Sequence, residues 1–161
     1  MAIGDIQFYD ISTTQLNGAK KANVAAGATV INPGEPVQAT LGGVTVTAAA
    51  TNTPVVGTTY YAGIATSTST QTASVAGTVD YMPLQPGVVY LISPTAPASW
   101  DTQAEYNAFV GKRVLIDLTG GSYTILASDS ANNCCVVAPL DIEKYPGKVA
   151  FQLRNGVSNL S

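Results

Sequence analysis

The stretch Thr72–Ile92, TASVAGTVDYMPLQPGVVYLI, constrains the fold more than any other. Ala73, Val75, Gly77, Val79 and Tyr81 share one parity, and Ser74, Thr78 and Asp80 share the other. A period of two with one apolar face is the pattern of a half-buried strand. Met82-Pro83 ends the run and Gln85-Pro86-Gly87 turns the chain. Val88-Val89-Tyr90-Leu91-Ile92 then returns as an apolar segment suited to a strand covered on both faces. The two runs are expected to form a core hairpin of a β domain.

The same signals recur along the chain. Thr29-Val30-Ile31 leads into an Asn32-Pro33-Gly34-Glu35-Pro36 turn, and Val37–Leu41 and Val44–Ala48 flank Gly42-Gly43, a hairpin loop. Val55-Val56 and Thr58–Ala65 are rich in β-branched and aromatic residues, as strands are. Further strands are expected at Arg113–Leu118, Tyr123–Ala127, Cys134–Leu140 and Lys148–Arg154, where Val149, Phe151 and Leu153 share a face. Thr66–Gln71, all hydroxyls and one amide, is expected to be an exposed flexible loop.

One segment departs from the pattern. Trp100–Val110 has capping-box spacing at Thr102 and Glu105, Ala104 and Ala108 on one face, and Gly111 where a C-terminal cap belongs, so it is expected to be a short helix. Trp100, the single tryptophan, is expected to be a packing residue. Many short strands with one helix near 100–110 give an all-β fold, a β-barrel or a jelly-roll-like β-sandwich. Residues 29–161 are expected to form one β-rich domain, and residues 1–28 an extended N-terminal arm or edge strand.

Charge narrows the partners. Only 11% of the 161 residues are charged, and between Glu35 and Asp101 the sole formal charge is Asp80. With a net charge of −3, the chain has no basic field to condense on nucleic acid or on an anionic membrane, so neither is expected as a partner. The N-terminus, MAIGDIQFYD, lacks the basic and apolar regions of a signal peptide. Adjacent Cys134 and Cys135 are read as two reduced thiols on opposite faces of a strand, which suits folding in a cytosol.

Reactive constellations are scarce. The chain has no histidine, which excludes Ser-His-Asp, Cys-His and His-ligated metal chemistry. Two cysteines are too few for a thiolate zinc site. Asp141-Ile142-Glu143 would set two acids on one strand face, but beside Lys144-Tyr145-Pro146-Gly147 they read as a solvated strand end. Asp129–Asn133 lacks the pattern of a calcium loop. No catalytic residue, metal or cofactor is expected.

Asn32-Pro33-Gly34-Glu35-Pro36-Val37, Ala62-Gly63-Ile64-Ala65, Ala76-Gly77-Thr78-Val79-Asp80-Tyr81 and Leu84-Gln85-Pro86-Gly87-Val88-Val89-Tyr90 together resemble the capsid decoration, or cement, proteins of tailed bacteriophages. The likeness covers about half of the chain, mainly Val30–Ile92. It implies a non-enzymatic structural protein of the virion, made in the host cytoplasm and bound to the outer capsid surface. Such a protein bridges subunits of the major capsid protein, usually as a homotrimer and sometimes as a dimer. The N-terminal arm would then bind the capsid by strand addition through Ile3, Ile6, Phe8, Tyr9 and Ile11, and removing residues 1–10 should weaken attachment but leave the fold. The competing expectation is a sugar- or receptor-binding domain of a tail fibre or adhesin, using Tyr60, Tyr61 and Trp100.

Overall fold

The computed structural model describes residues 2–3, 6–9, 18–49, 58–119, 121–131 and 133–154. The strands are β1 (Ala2–Ile3), β2 (Ile6–Phe8), β3 (Lys20–Val24), β4 (Pro36–Thr40), β5 (Val46–Ala48), β6 (Thr59–Ala65) and β7 (Gly77–Pro83), followed by β8 (Val89–Ile92), β9 (Arg113–Thr119), β10 (Ser122–Ala127), β11 (Cys135–Val137) and β12 (Val149–Leu153). Among the described residues the fold is all-β, with two antiparallel sheets and one short α-helix, α1 (Gln103–Phe109), which follows a 3-10 turn at Pro97–Ser99 between β8 and β9. The strand residues expected at Val55-Val56 lie outside the described residues, as does Ile11.

One sheet has the order β3-β7-β6-β4-β5, and a parallel bridge between Asn23 and Thr45 joins its two ends. The sheet thus curls into a small barrel-like unit around Val24, Ile31, Val37, Ala39, Val46, Tyr60, Ala65 and Val79. In the other sheet, β8-β12-β11-β9-β10 curls in the same way, closed by a parallel bridge between Pro94 and Ile125, while β2 and β1 extend it beyond β8. Here the core is larger and aromatic, and includes Tyr90, Ile92, Ile116, Ile125, Val149 and Phe151. The units share contacts: Tyr61, Ile64 and Leu84 of the first belong to the second core, and the Tyr123 hydroxyl donates to the Ala49 carbonyl at 2.9 Å.

The two units repeat one topology. Taken in chain order, the five strands of each unit run first, fifth, fourth, second, third around the sheet, and the third returns parallel to the first. Registers repeat as well. Ala22 faces Val79 as Ile92 faces Val149, Gly63 faces Pro83 as Cys135 faces Leu153, and Val37 faces Gly63 and Ala48 as Val114 faces Cys135 and Ala127. The entry to the second strand repeats down to single hydrogen bonds. Gly34 N donates to Ala65 O at 2.8 Å and Ala65 N to Glu35 O at 2.9 Å. Gly111 N donates to Val137 O at 2.9 Å and Val137 N to Lys112 O at 3.0 Å. Gly34 and Gly111 have φ of 92° and 81°, a conformation that a Cβ disfavours.

Several expectations give way here. Gly77–Pro83 and Val89–Ile92 are both strands, but they do not pair. The Pro86-Gly87 turn carries the chain from one sheet into the other, and Val75 is exposed because the first strand begins only at Gly77. Alternation gives the face of a strand, not its partner, and here both edges of β7 are taken by β3 and β6. Thr29-Val30-Ile31 is not a strand, although Ile31 is buried. The Gly42-Gly43 hairpin forms between β4 and β5 as expected, and its pairing stops at Ala39 and Val46.

The helix forms where expected, capped by Thr102, whose hydroxyl accepts from Glu105 N, with the Glu105 carboxylate accepting in return from Thr102 N. Its buried residue is Tyr106 and not Ala104 or Ala108. The Tyr106 hydroxyl donates to Ala138 O at 2.8 Å and accepts from Ala150 N at 2.9 Å, and burial pushes its pKa up to about 12. Trp100 is buried and stacks on Phe109 at 4.1 Å, a packing residue as expected.

Candidate functional site

Thr66–Gln71 holds the first surprise. Expected to be a flexible exposed loop, the segment lies along β7 and is bonded into it. Thr66 N donates to Asp80 O, Asp80 N to Ser67 Oγ, Thr78 N to Thr70 Oγ1, and Thr70 N to Thr78 O, all at 2.8–3.0 Å. Ser69 and Gln71 are only 7% and 8% exposed. Ser69 Oγ accepts from Ile31 N at 2.8 Å, and Gln71 Nε2 donates to the carbonyls of Ala28 and Thr29 at 3.0 Å each. Short polar side chains here replace a neighbouring strand, so a composition that reads as loop makes a rigid brace. The brace leaves no room beside Gly77, where an added Cβ would overlap Gln71 N.

The residues expected to bind a capsid are not gathered in a free arm. Ile6 is 0% exposed and belongs to the second core, and Ile3 pairs with Ile6 across β1 and β2. Tyr9 is half-buried, with its ring edge-on to Tyr145 at 5.1 Å and its backbone N donating to Val89 O at 3.1 Å. Phe8 pairs with Tyr90 across β2 and β8. Lys20–Val24, inside the segment read as an arm, is a full strand of the first unit. Removing residues 1–10 should therefore cost stability, which corrects the expectation that the fold would be untouched.

The other candidates are placed as follows. Tyr60, Tyr61 and Trp100 are all buried; Tyr61 is fully enclosed, while Tyr60 and Trp100 each present only a small part to a cleft wall and none of these rings stands out on the surface. Asp141-Ile142-Glu143 is a turn and not a strand face, with the Asp141 carboxylate accepting from Glu143 N at 3.1 Å. Asp129 is exposed and bonds Arg113, its Oδ1 accepting from Arg113 Nε at 2.9 Å; that hydrogen bond holds its carboxyl below the usual range.

The cysteine thiols are free and buried, with sulfurs 3.5 Å apart. They do not sit on opposite faces, because β11 begins at Cys135 and Cys134 lies outside its pleat. Burial pushes the Cys135 thiol up. Among the described residues no three Cys, Asp or Glu side chains gather as a metal site would need, and no helix is long and apolar enough to cross a membrane.

Two of the clefts among the described residues touch candidates named above. One of about 430 Å³ lies between Pro94, Pro97, Trp100 and Pro146, with Asp101 at its side. The other, about 230 Å³, lies at the seam of the first unit, between Lys21–Asn23 and Gly43–Val46, with Tyr60 and Tyr81 also lining it. Exposed apolar residues are also concentrated on the first unit: Leu41 and Val44 on the β4–β5 loop, and Val30 and Val75 beside the brace.

No family model, curated protein or solved structure matches the chain.

Proposed function

We propose that this chain is a non-catalytic structural protein of a tailed-phage virion. It attaches to the outer surface of the capsid and stabilises the shell by bridging subunits of the major capsid protein, as a homotrimer or, failing that, a dimer. The observation that carries this reading is where the motif residues of the resemblance fall. Three of the four motifs join one another in the first unit: the Asn32–Pro36 turn is bonded to Ala65, and β6 pairs with β7 through Ala65 and Tyr81. They build a braced scaffold, and exposed apolar positions lie on that same unit.

Such a scaffold suits adhesion. A rigid, weakly charged surface loses little entropy on docking, and an oligomer touching several capsid subunits gains affinity through effective concentration. Strand addition through Ile6, Phe8 and Tyr9 would require β2 to leave β8, so docking through the first unit is the simpler arrangement.

The test is to mix the purified protein with emptied mature capsids and image them. Saturable density at repeated outer positions, and greater resistance of the shells to heat, are expected. Failure to bind any shell, or a measurable turnover lost in Asp141→Asn with the fold intact, would overturn the proposal.

A further inference from the structure

The repeat exposes a difference at one seam. In the second unit, β8 has two neighbours along the edge away from β12. At its far end Ile125 N donates to Ser93 O at 2.9 Å, and Thr95 N donates to Ile125 O at 2.8 Å. Nearer its start β2 fills the same edge, with Gln7 opposite Leu91 and Tyr9 N donating to Val89 O. Residues 89, 91 and 93 thus all turn their backbone groups to that seam, as alternation along a strand requires. The seam is closed partly by the third strand of the barrel and partly by an added strand.

In the first unit the registers make β3 the counterpart of β8, with Ala22 equivalent to Ile92, Lys21 to Leu91 and Asn23 to Ser93. Asn23 is bridged to Thr45, which reproduces the closure by the third strand. Beside Lys21, where the counterpart of β2 would lie, there is no strand among the described residues, and the cleft of about 230 Å³ opens there.

We propose that this seam is a strand-accepting site. It takes an extended segment of a partner polypeptide, added antiparallel to β3 at Ala19–Lys21, as β2 is added to β8. Backbone bonds to an unpaired edge supply the affinity, and the flanking side chains select the sequence. The template on β8 gives the chemistry of the occupant. It is a short strand with apolar residues at alternate positions, as Ile6 and Phe8 are, with acidic residues beside it, as Asp5 and Asp10 stand in the sequence. Lys20 and Lys21 at the seam match those acids; Lys20 is exposed, and Lys21 reaches Asp80 only at 3.7 Å with both side chains largely in water. The site does not depend on the partner being a capsid protein.

A peptide copying residues 2–10 (AIGDIQFYD), capped at both ends, is the probe, titrated into the full-length protein and followed by amide NMR. Shifts centred on Lys20–Asn23 and Val44–Val46 are expected. Val44 is 84% exposed, so Val44→Asp should keep the fold while placing a like charge beside the bound acids, weakening binding by roughly tenfold. Lys20→Glu should do the same, and Val75→Asp, away from the seam, should do nothing. No shifts up to millimolar peptide, shifts centred on β8, or equal weakening by Val75→Asp would overturn the proposal. So would protection of the Lys21 amide that grows with protein concentration alone, since the occupant would then be a second copy.

Discussion

The two barrel-like units share strand order, registers and the closing bridge, yet they are held together differently. At equivalent positions the first has Ala22, Ala39, Val46 and Ala65 where the second has Ile92, Ile116, Ile125 and Val137. Each added methylene under cover is worth about 0.8 kcal/mol, so the second unit relies mainly on apolar burial. The first makes up for a thin core with the Thr66–Gln71 brace and with the outer contacts of Tyr61 and Ile64. One topology therefore tolerates two balances of apolar and polar stabilisation, and among the described residues the polar one leaves a seam uncovered.

The comparison can be broken most sharply in the cores. Val79 and its counterpart Val149 are both buried, and an unpaired carboxylate at either should cost several kcal/mol. Because the second core contains residues of both units, Val79→Asp should abolish the whole cooperative transition in urea. A variant that retained a separate transition for the second unit would show that the units fold independently. Phe151→Ala should cost about 3–5 kcal/mol, more than Tyr81→Ala at the equivalent but half-buried position. Equal losses would erase the contrast between the cores.

Gly77 and Gly147 occupy equivalent positions for different reasons. An alanine at Gly77 collides with the brace, whereas Gly147 has open space around it but a φ of 68°. Gly77→Ala should cost about 1–3 kcal/mol through overpacking, and Gly147→Ala about 1–2 kcal/mol through backbone strain. Ser69→Ala leaves Ile31 N buried without its acceptor and should cost about 1–3 kcal/mol. A neutral Ser69→Ala by urea unfolding would mean that the brace is ornamental.

The smallest effect is electrostatic. Arg113 depresses the Asp129 carboxyl in the folded state, so its contribution is present above the unfolded pKa and fades as pH falls through the folded one. Asp129→Asn should therefore flatten the acid limb of the stability curve slightly and leave the neutral region almost unchanged.

Much of the fold was legible. The capping box at Thr102 and Glu105, the β4–β5 and β9–β10 hairpins and the faces of β12 follow from local chemistry, and local chemistry is what a sequence displays. Strand partners are non-local, which is why the run before Pro83 and the run after Gly87 looked like one hairpin. The brace was missed because Ser and Thr have the same composition in a loop as in a strut, and only the positions of Ile31, Ala28 and Asp80 decide between them.

The repeat could have been found. Gly34, Val37, Leu41, Gly42-Gly43, Thr45 and Ala48 recur as Gly111, Val114, Leu118, Gly120-Gly121, Thr124 and Ala127, and Gly77-Thr78-Val79-Asp80-Tyr81 recurs as Gly147-Lys148-Val149-Ala150-Phe151. The open seam had no such signal, since it exists only by contrast with β2 lying on β8.

Amide hydrogen exchange in the free protein, read at two equivalent residues, tests the unequal seams directly. The Leu91 amide, covered by β2, should exchange orders of magnitude more slowly than the amide of Lys21, whose edge has no strand beside it among the described residues. Matching protection at the two sites would mean that the first seam is already occupied, and the contrast between the units would fail.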